Sequence, residues 1–175
     1  MKISRFEETK NIYTEIENNS TSEKNRVRAA YRRGDASFQQ KKYDEAIAEY
    51  QRVLQKYPKF IEEYPNAYYN QASALFSNGE YKKSLEMYRE FLKRYPTRTE
   101  SGYAMTRIGE ILEILGADSN RITGVYQETV FRFGETPSSI VARLRLLSQR
   151  MGGMRPKDLE KAVKDISEIA NKSDL

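Results

Sequence analysis

Four tyrosines, Tyr13, Tyr50, Tyr88 and Tyr126, recur at intervals of 37, 38 and 38 residues. A period of that size constrains the fold more than any single motif, because it marks one supersecondary unit written several times. Each tyrosine lies in an apolar pattern of helical spacing. Tyr43, Ile47, Tyr50 and Leu54 fall three or four residues apart, as do Tyr81, Leu85, Tyr88 and Leu92, so each segment offers one apolar stripe. Small residues at Gly34, Ala72 and Gly109 lead the tyrosines by 16 or 17 positions, where two helices must approach closely. Tyr43 and Tyr81 open the second helix of the first two clear pairs, and the third pair has no equivalent aromatic.

Breaks fall around Gln40 to Lys42 and at Pro58, Gly79, Pro96, Gly116 and Gly134. Between them the spacing predicts nine helices, over 3–18, 24–41, 43–57, 65–78, 81–95, 99–115, 119–133, 137–151 and 156–171. A single helical hairpin cannot cover both of its own sides, so stacking of neighbouring pairs is the physical solution and the expected fold is an all-α solenoid. The last helix starts at Pro156, which a first helical turn tolerates, and its face of Leu159, Val163, Ile166 and Ala170 would close the end of the stack. Residues 1–20 match the second helix of a pair, with Phe6 and Tyr13 in the apolar positions. Either the chain begins inside a longer protein or a solitary helix leads it.

Composition removes several function classes. The chain has no cysteine and no histidine, which excludes disulfides, thiol nucleophiles, the usual zinc sites and histidine-based triads. No cofactor or metal site is expected, and an enzyme would have to work with carboxylates such as Glu110 and Glu113 on one helix. With 38% apolar and 31% charged residues interleaved, no run is long enough to cross a bilayer. The net charge of +5 is modest, but Arg143, Arg145, Arg150, Arg155, Lys157, Lys161 and Lys164 are opposed in that interval only by Asp158 and Glu160. This basic C-terminal face is either a solvated surface or an attraction for an acidic protein and, less favoured, for nucleic acid or an anionic surface.

The same residues resemble the tetratricopeptide repeat. One repeat over 24–58 carries Gly34, Tyr43, Ala46, Tyr50 and Pro58, and a second over 65–96 carries Tyr68, Ala72, Leu75, Gly79, Tyr81, Tyr88 and Pro96. A degenerate third, over 99–134, keeps Met105, Ile108, Gly109, Leu112, Gly116 and Tyr126, and residues 137–175 supply the closing helices and cap. Arg33 departs from the pattern where leucine is common, which predicts a loosely seated first helix. The period of 37 or 38 residues exceeds the usual repeat of about 34. That stretching, with the ends KRYPT and QKYPK, is similar to the bacterial envelope subset of outer-membrane assembly lipoproteins and the periplasmic coordinator of the Tol-Pal system. The resemblance implies the periplasm or cell envelope. The first residues lack a secretory signal pattern, which leaves the cytoplasm as the alternative.

The resemblance further implies a right-handed superhelix of antiparallel pairs and a non-catalytic scaffold that holds a protein or peptide in a groove lined by the first helix of each pair. On this sequence that groove takes Arg28, Tyr31 and Arg32 with Asp35 and Phe38, then Asn66, Tyr69 and Asn70 with Ser73 and Phe76, then Tyr103 and Arg107 with Thr106 and Glu110. Phe38 and Phe76 suit packing better than contact. Of the positions that clamp the C-terminal carboxylate of heat-shock chaperones only Asn70 and Arg107 match, and Asp35 would repel a carboxylate. Tyr50, Tyr88, Tyr126, Tyr43, Tyr81, Gly34, Ala72, Gly109 and Ala46 belong to repeat packing. A homodimer through the exposed apolar face of the first helix is the alternative use of the fold.

Overall fold

The computed structural model describes residues 2–151 together with 158, 160, 161, 164, 165, 167 and 168. Among these the regular elements are all helical: α1 (Lys2–Asn19), α2 (Glu23–Gln39), α3 (Tyr43–Lys56), a 3-10 segment (Pro58–Glu63), α4 (Pro65–Ser77), α5 (Tyr81–Arg94), α6 (Thr99–Ile114), α7 (Ser119–Phe133) and α8 (Pro137–Met151). None of the described helices is long and apolar enough to cross a membrane. The expected helix at 156–171 falls mostly outside the described residues, and so do Arg155 and Lys157. Those described within it are helical, and Lys161 and Lys164 are exposed. Residues 1–91 form one compact unit and residues 92–175 a second.

Helix ends are set by local chemistry. The Ser22 hydroxyl caps α2 by accepting from the Asn25 amide, and the Asp118 carboxylate caps α7 by accepting from the amides of Asn120 and Arg121. Pro65 occupies the first turn of α4, where its missing N–H costs nothing. At the C-terminal end of α2, the Lys41 amide donates to the Phe38 carbonyl and the Lys42 amide to the Ser37 carbonyl. The same pair of bonds closes α4 through Gly79 and Glu80, and α6 through Gly116 and Ala117. This motif requires a left-handed residue, supplied by Gly79 at φ 80° and Gly116 at φ 65°, but by a lysine, Lys41 at φ 62°, in the first repeat.

In the first unit the core is built from Val27, Ala30 and Tyr31 of α2, Ala46, Ile47, Tyr50 and Val53 of α3, and Ala67, Ala74 and Leu75 of α4. Gly34 lets α2 lie directly on the Tyr50 ring: a Cβ at that position would stand 2.7 Å from Cε1. In the second unit Gly109 does the same on α7, where a Cβ would meet Tyr126 Cε1 at 2.4 Å. The tyrosine series therefore forms the floor of each pair, and Tyr50, Tyr88 and Tyr126 are fully buried. Tyr43 and Tyr81 pack their rings against Phe38 and Phe76, at centroid distances of 5.8 and 5.6 Å, so both phenylalanines are packing residues.

Arg33 does not loosen α2. It reaches Glu49 at 2.7 Å, the Thr14 hydroxyl at 3.1 Å and Glu17 at 3.5 Å, and so ties α2 to α1 and α3. Glu17 is the hub of this network. Only 3% of its side chain is exposed, and it accepts two bonds of 2.8 Å from Arg52 and one of 3.0 Å from Lys56. Burial alone would raise its pKa, but hydrogen bonds from Arg52 and Lys56 and the charges of both outweigh it and hold the carboxyl at about 2.

Candidate partner face

The predicted groove residues divide into exposed and buried sets. In the first unit Arg28, Arg32 and Asn66 stand in solvent on α2 and α4, while Tyr69 and Asn70 are half-buried. Tyr69 sets its ring edge-on to Tyr88 at 5.7 Å and against Phe91, so its edge serves the surface and its body the core. Tyr31 corrects the sequence expectation. It is 4% exposed, with its ring 5.1 Å from that of Tyr64, and is a core residue. The cause is the 3-10 segment before α4, whose extra residues stretch the repeat and deliver Tyr64 onto α2.

A polar network supports this face. Asp35 accepts from the Tyr50 hydroxyl at 2.7 Å and from Asn70 at 2.8 Å, and Arg32 reaches it at 3.3 Å. Burial, followed by the charge and hydrogen bond of Asp35, pushes the Tyr50 phenol far up, so it stays a neutral donor. One repeat on, Ser73 and the Tyr88 hydroxyl meet at 2.9 Å. The chemistry is thus repeated in place: a polar residue directly after the small residue of the first helix meets the tyrosine of the second.

In the second unit Tyr103 is 38% exposed and Arg107 is exposed, ion-paired with Glu110 one turn on. Thr106 is not a groove residue. It is 5% exposed and donates within its own helix to the Gly102 carbonyl, with the Ser138 carbonyl at 3.3 Å. Glu110 also receives Arg145 at 3.0 Å, and Glu113 receives Gln149 at 3.3 Å and Arg145 at 3.6 Å. Burial and the nearby Glu113 carboxylate push the Tyr126 phenol up.

These pairs revise the basic face. Arg145 is committed to Glu110 and Glu113, and Arg143 reaches Glu135 at 2.8 Å, so two of the seven predicted cations are balanced locally. Arg150 is exposed and lines a shallow cleft with Glu113, Ser119, Ile122, Thr123, Leu146 and Gln149. The cleft mixes charges and apolar side chains and does not form a cationic surface.

Sequence reading missed the Glu17 hub. The available signal was a carboxylate at the register where the following repeats carry Leu54 and Leu92. A charge at an apolar register position calls for a partner, here cations 35 and 39 residues on.

Family models of the tetratricopeptide repeat match residues 27–60 and 66–98. A search of curated proteins finds no match. Among solved structures, a MamA RS-1 ArsTM double mutant is similar with a TM-score of 0.71 at 17% identity, over 98% of this chain and 88% of that one. MamA 41-end from Desulfovibrio magneticus RS-1 gives 0.64 at 16%, over 95% of this chain and 98% of that one. The nearly identical TPR-like repeats of a Podosopora anserina putative kinesin light chain give 0.66 at 11%, over 97% and 96%. The chain therefore carries tetratricopeptide repeats and has an all-α fold of the tetratricopeptide solenoid kind.

Proposed function

We propose that the chain is a non-catalytic scaffold that holds a protein or peptide partner on the exposed faces of its first helices. The observation that carries this is the division of labour between helices. Tyr50, Tyr88 and Tyr126 of the second helices are fully buried, whereas Arg28, Arg32 and Asn66 in the first unit, and Tyr103 and Arg107 in the second, present side chains to solvent. Arginine, asparagine and tyrosine combine apolar area with directional hydrogen bonds, the mixture that concentrates binding energy at protein interfaces. The Asp35 network beneath Arg32, and the Glu110 pairs beside Arg107, hold these groups in place before a partner arrives, which lowers the ordering cost of binding.

Catalysis is disfavoured by the engagement of the two candidate acids, since Glu110 and Glu113 are both committed to arginine or glutamine partners. Assembly work in a bacterial cell envelope is the setting we favour, on the stretched period of 37 to 38 residues and the closing Tyr-Pro pairs. Capture by in-cell crosslinking, with wild type beside Asn66→Arg and a Tyr103→Ala/Arg107→Ala variant, tests the reading. A protein recovered with wild type and lost from a variant whose circular dichroism is unchanged is expected. Equal recovery with all three overturns it, and recovery of cytosolic proteins alone overturns the envelope setting.

A further inference from the structure

The first member of the tyrosine series is built like the others but lacks their cover. Three second helices pair a tyrosine with a residue three positions on, Tyr50 with Val53, Tyr88 with Phe91 and Tyr126 with Thr129, and all six are fully buried. In α1 the equivalent pair is Tyr13 and Ile16. Tyr13 is only half-buried and Ile16 is 39% exposed, with Ile12 beside them at 54%. Among the described residues, no helix lies over this pair as α2 lies over Tyr50. Instead Tyr13 and Ile16 form one wall of an open cleft of about 470 Å³, whose other wall is Asn25, Arg28, Ala29 and Arg32 of α2.

The register of the repeats says what would fill the cleft. In two of the three pairs the first helix sets a glycine on the ring, Gly34 on Tyr50 and Gly109 on Tyr126, and a carboxylate follows it directly, Asp35 or Glu110; in the other pair Ala72 and Ser73 hold those positions. That carboxylate accepts from the next first helix, 35 residues on: Asn70 donates to Asp35 at 2.8 Å, and Arg145 to Glu110 at 3.0 Å. At the open cleft the donor position equivalent to Asn70 and Arg145 is Arg32, 61% exposed, which reaches back to its own Asp35 at 3.3 Å. Arg28 stands exposed one turn away and makes no ion pair among the described residues. The tyrosine and the donor are in place, but no covering helix among the described residues offers the small residue and the acid.

We propose that this cleft is a docking site for an amphipathic acidic helix of a partner protein. That helix sets a glycine on the Tyr13 ring and the carboxylate that follows it on Arg32 and the Tyr13 hydroxyl. The proposal rests on the scaffold reading above and shares Arg28 and Arg32 with that face, but it sets the occupant against α1 and the first half of α2, away from α4. Binding buries Ile16 and the Tyr13 ring, and it gives Arg28 and Arg32 a carboxylate surface, so apolar cover and charge complementarity act together. A larger side chain before the acid would meet the ring as a Cβ at Gly109 meets Tyr126, which makes the small residue the specificity element.

The probe is a fluorescein-labelled, end-capped peptide of sequence TESGYAMTRIGEILEI, which carries the glycine and acid in this order, titrated against the full chain and followed by anisotropy. The expected result is saturable binding that weakens about tenfold or more when the peptide carries Gly109→Leu or Glu110→Lys, and when the protein carries Arg28→Ala/Arg32→Ala or Ile16→Arg. Ile16→Arg blocks the cleft without removing a buried group, and circular dichroism confirms that each variant is folded. Absence of saturable binding, equal affinity for the Gly109→Leu peptide, or equal binding to the Arg28→Ala/Arg32→Ala protein overturns the proposal. Loss of peptide binding in Asn66→Arg alone also overturns it while sparing the scaffold reading. Sedimentation showing a dimer of the peptide-free chain that Ile16→Arg dissociates makes a second copy the occupant, and overturns it as well.

Discussion

Replacing Glu17 by glutamine keeps the shape of the side chain and removes the buried charge on which α1 is fastened to α3. The carboxyl sits at about 2 against an ordinary 4.5. That difference of about 2.5 units corresponds to about 3.4 kcal/mol at 1.36 kcal/mol per unit. The carboxylate is 3% exposed, but Arg52 and Lys56 are 35% and 50% exposed, so solvent screens part of the attraction and about 2 kcal/mol is the expected loss. For a chain of this length that lowers the melting temperature by about 4–8 °C. The pH dependence carries the decisive signature. A depressed folded-state pKa stabilises fully above the unfolded value of 4.5, and the contribution is lost as pH falls toward about 2. Urea unfolding of wild type and Glu17→Gln, followed by circular dichroism, should therefore show a gap of about 2 kcal/mol at pH 7 that closes between pH 4.5 and 2. A gap below about 0.5 kcal/mol at pH 7, or one independent of pH, would refute the reasoning.

Lys41→Gly should raise stability by about 0.5–1 kcal/mol in the same assay, because it puts glycine at the left-handed position that Gly79 and Gly116 hold in the other repeats. Tyr50→Phe should cost about 1 kcal/mol by removing the 2.7 Å bond to Asp35, and Tyr50→Ala about 3–5 kcal/mol by emptying a fully buried site, both read from urea midpoints. Gly102→Ala should cost about 1–3 kcal/mol despite the better helix propensity of alanine, since its Cβ would lie 2.2 Å from the buried Ser138 Oγ. A stabilised Gly102→Ala protein would show that α8 yields at that contact.

Much of this fold was legible because two periodicities coincide in the sequence. The helical spacing of Tyr43, Ile47, Tyr50 and Leu54 gives the element, and the return of the same pattern at Tyr81 to Leu92 gives the stacking. Small residues opposite tyrosines were also readable, because close approach leaves a mark in residue size at both positions. What escaped depends on irregular backbone and on polar partners. Tyr31 reads as a surface aromatic until the 3-10 segment at Pro58–Glu63 brings Tyr64 over it. Arg33 reads as a flaw in the repeat until Glu17 and Glu49 are seen to receive it. Hydrophobic patterning is silent about which charges meet, so the basic residues at Arg143 and Arg145 read as a surface field although the fold supplies each with a carboxylate. The exposure of Arg28, Arg32, Asn66, Tyr103 and Arg107 on first helices was readable from helical register, whereas the cleft at Tyr13 follows only from comparing burial along the tyrosine series.

First helices recognise and second helices support: that division is tested most directly by hydrogen exchange footprinting of the crosslink-identified partner on the full chain, with each unit read separately. The account predicts new amide protection within α2 and α4 of the first unit or α6 of the second. Protection confined to α3, α5 and α7 would contradict it.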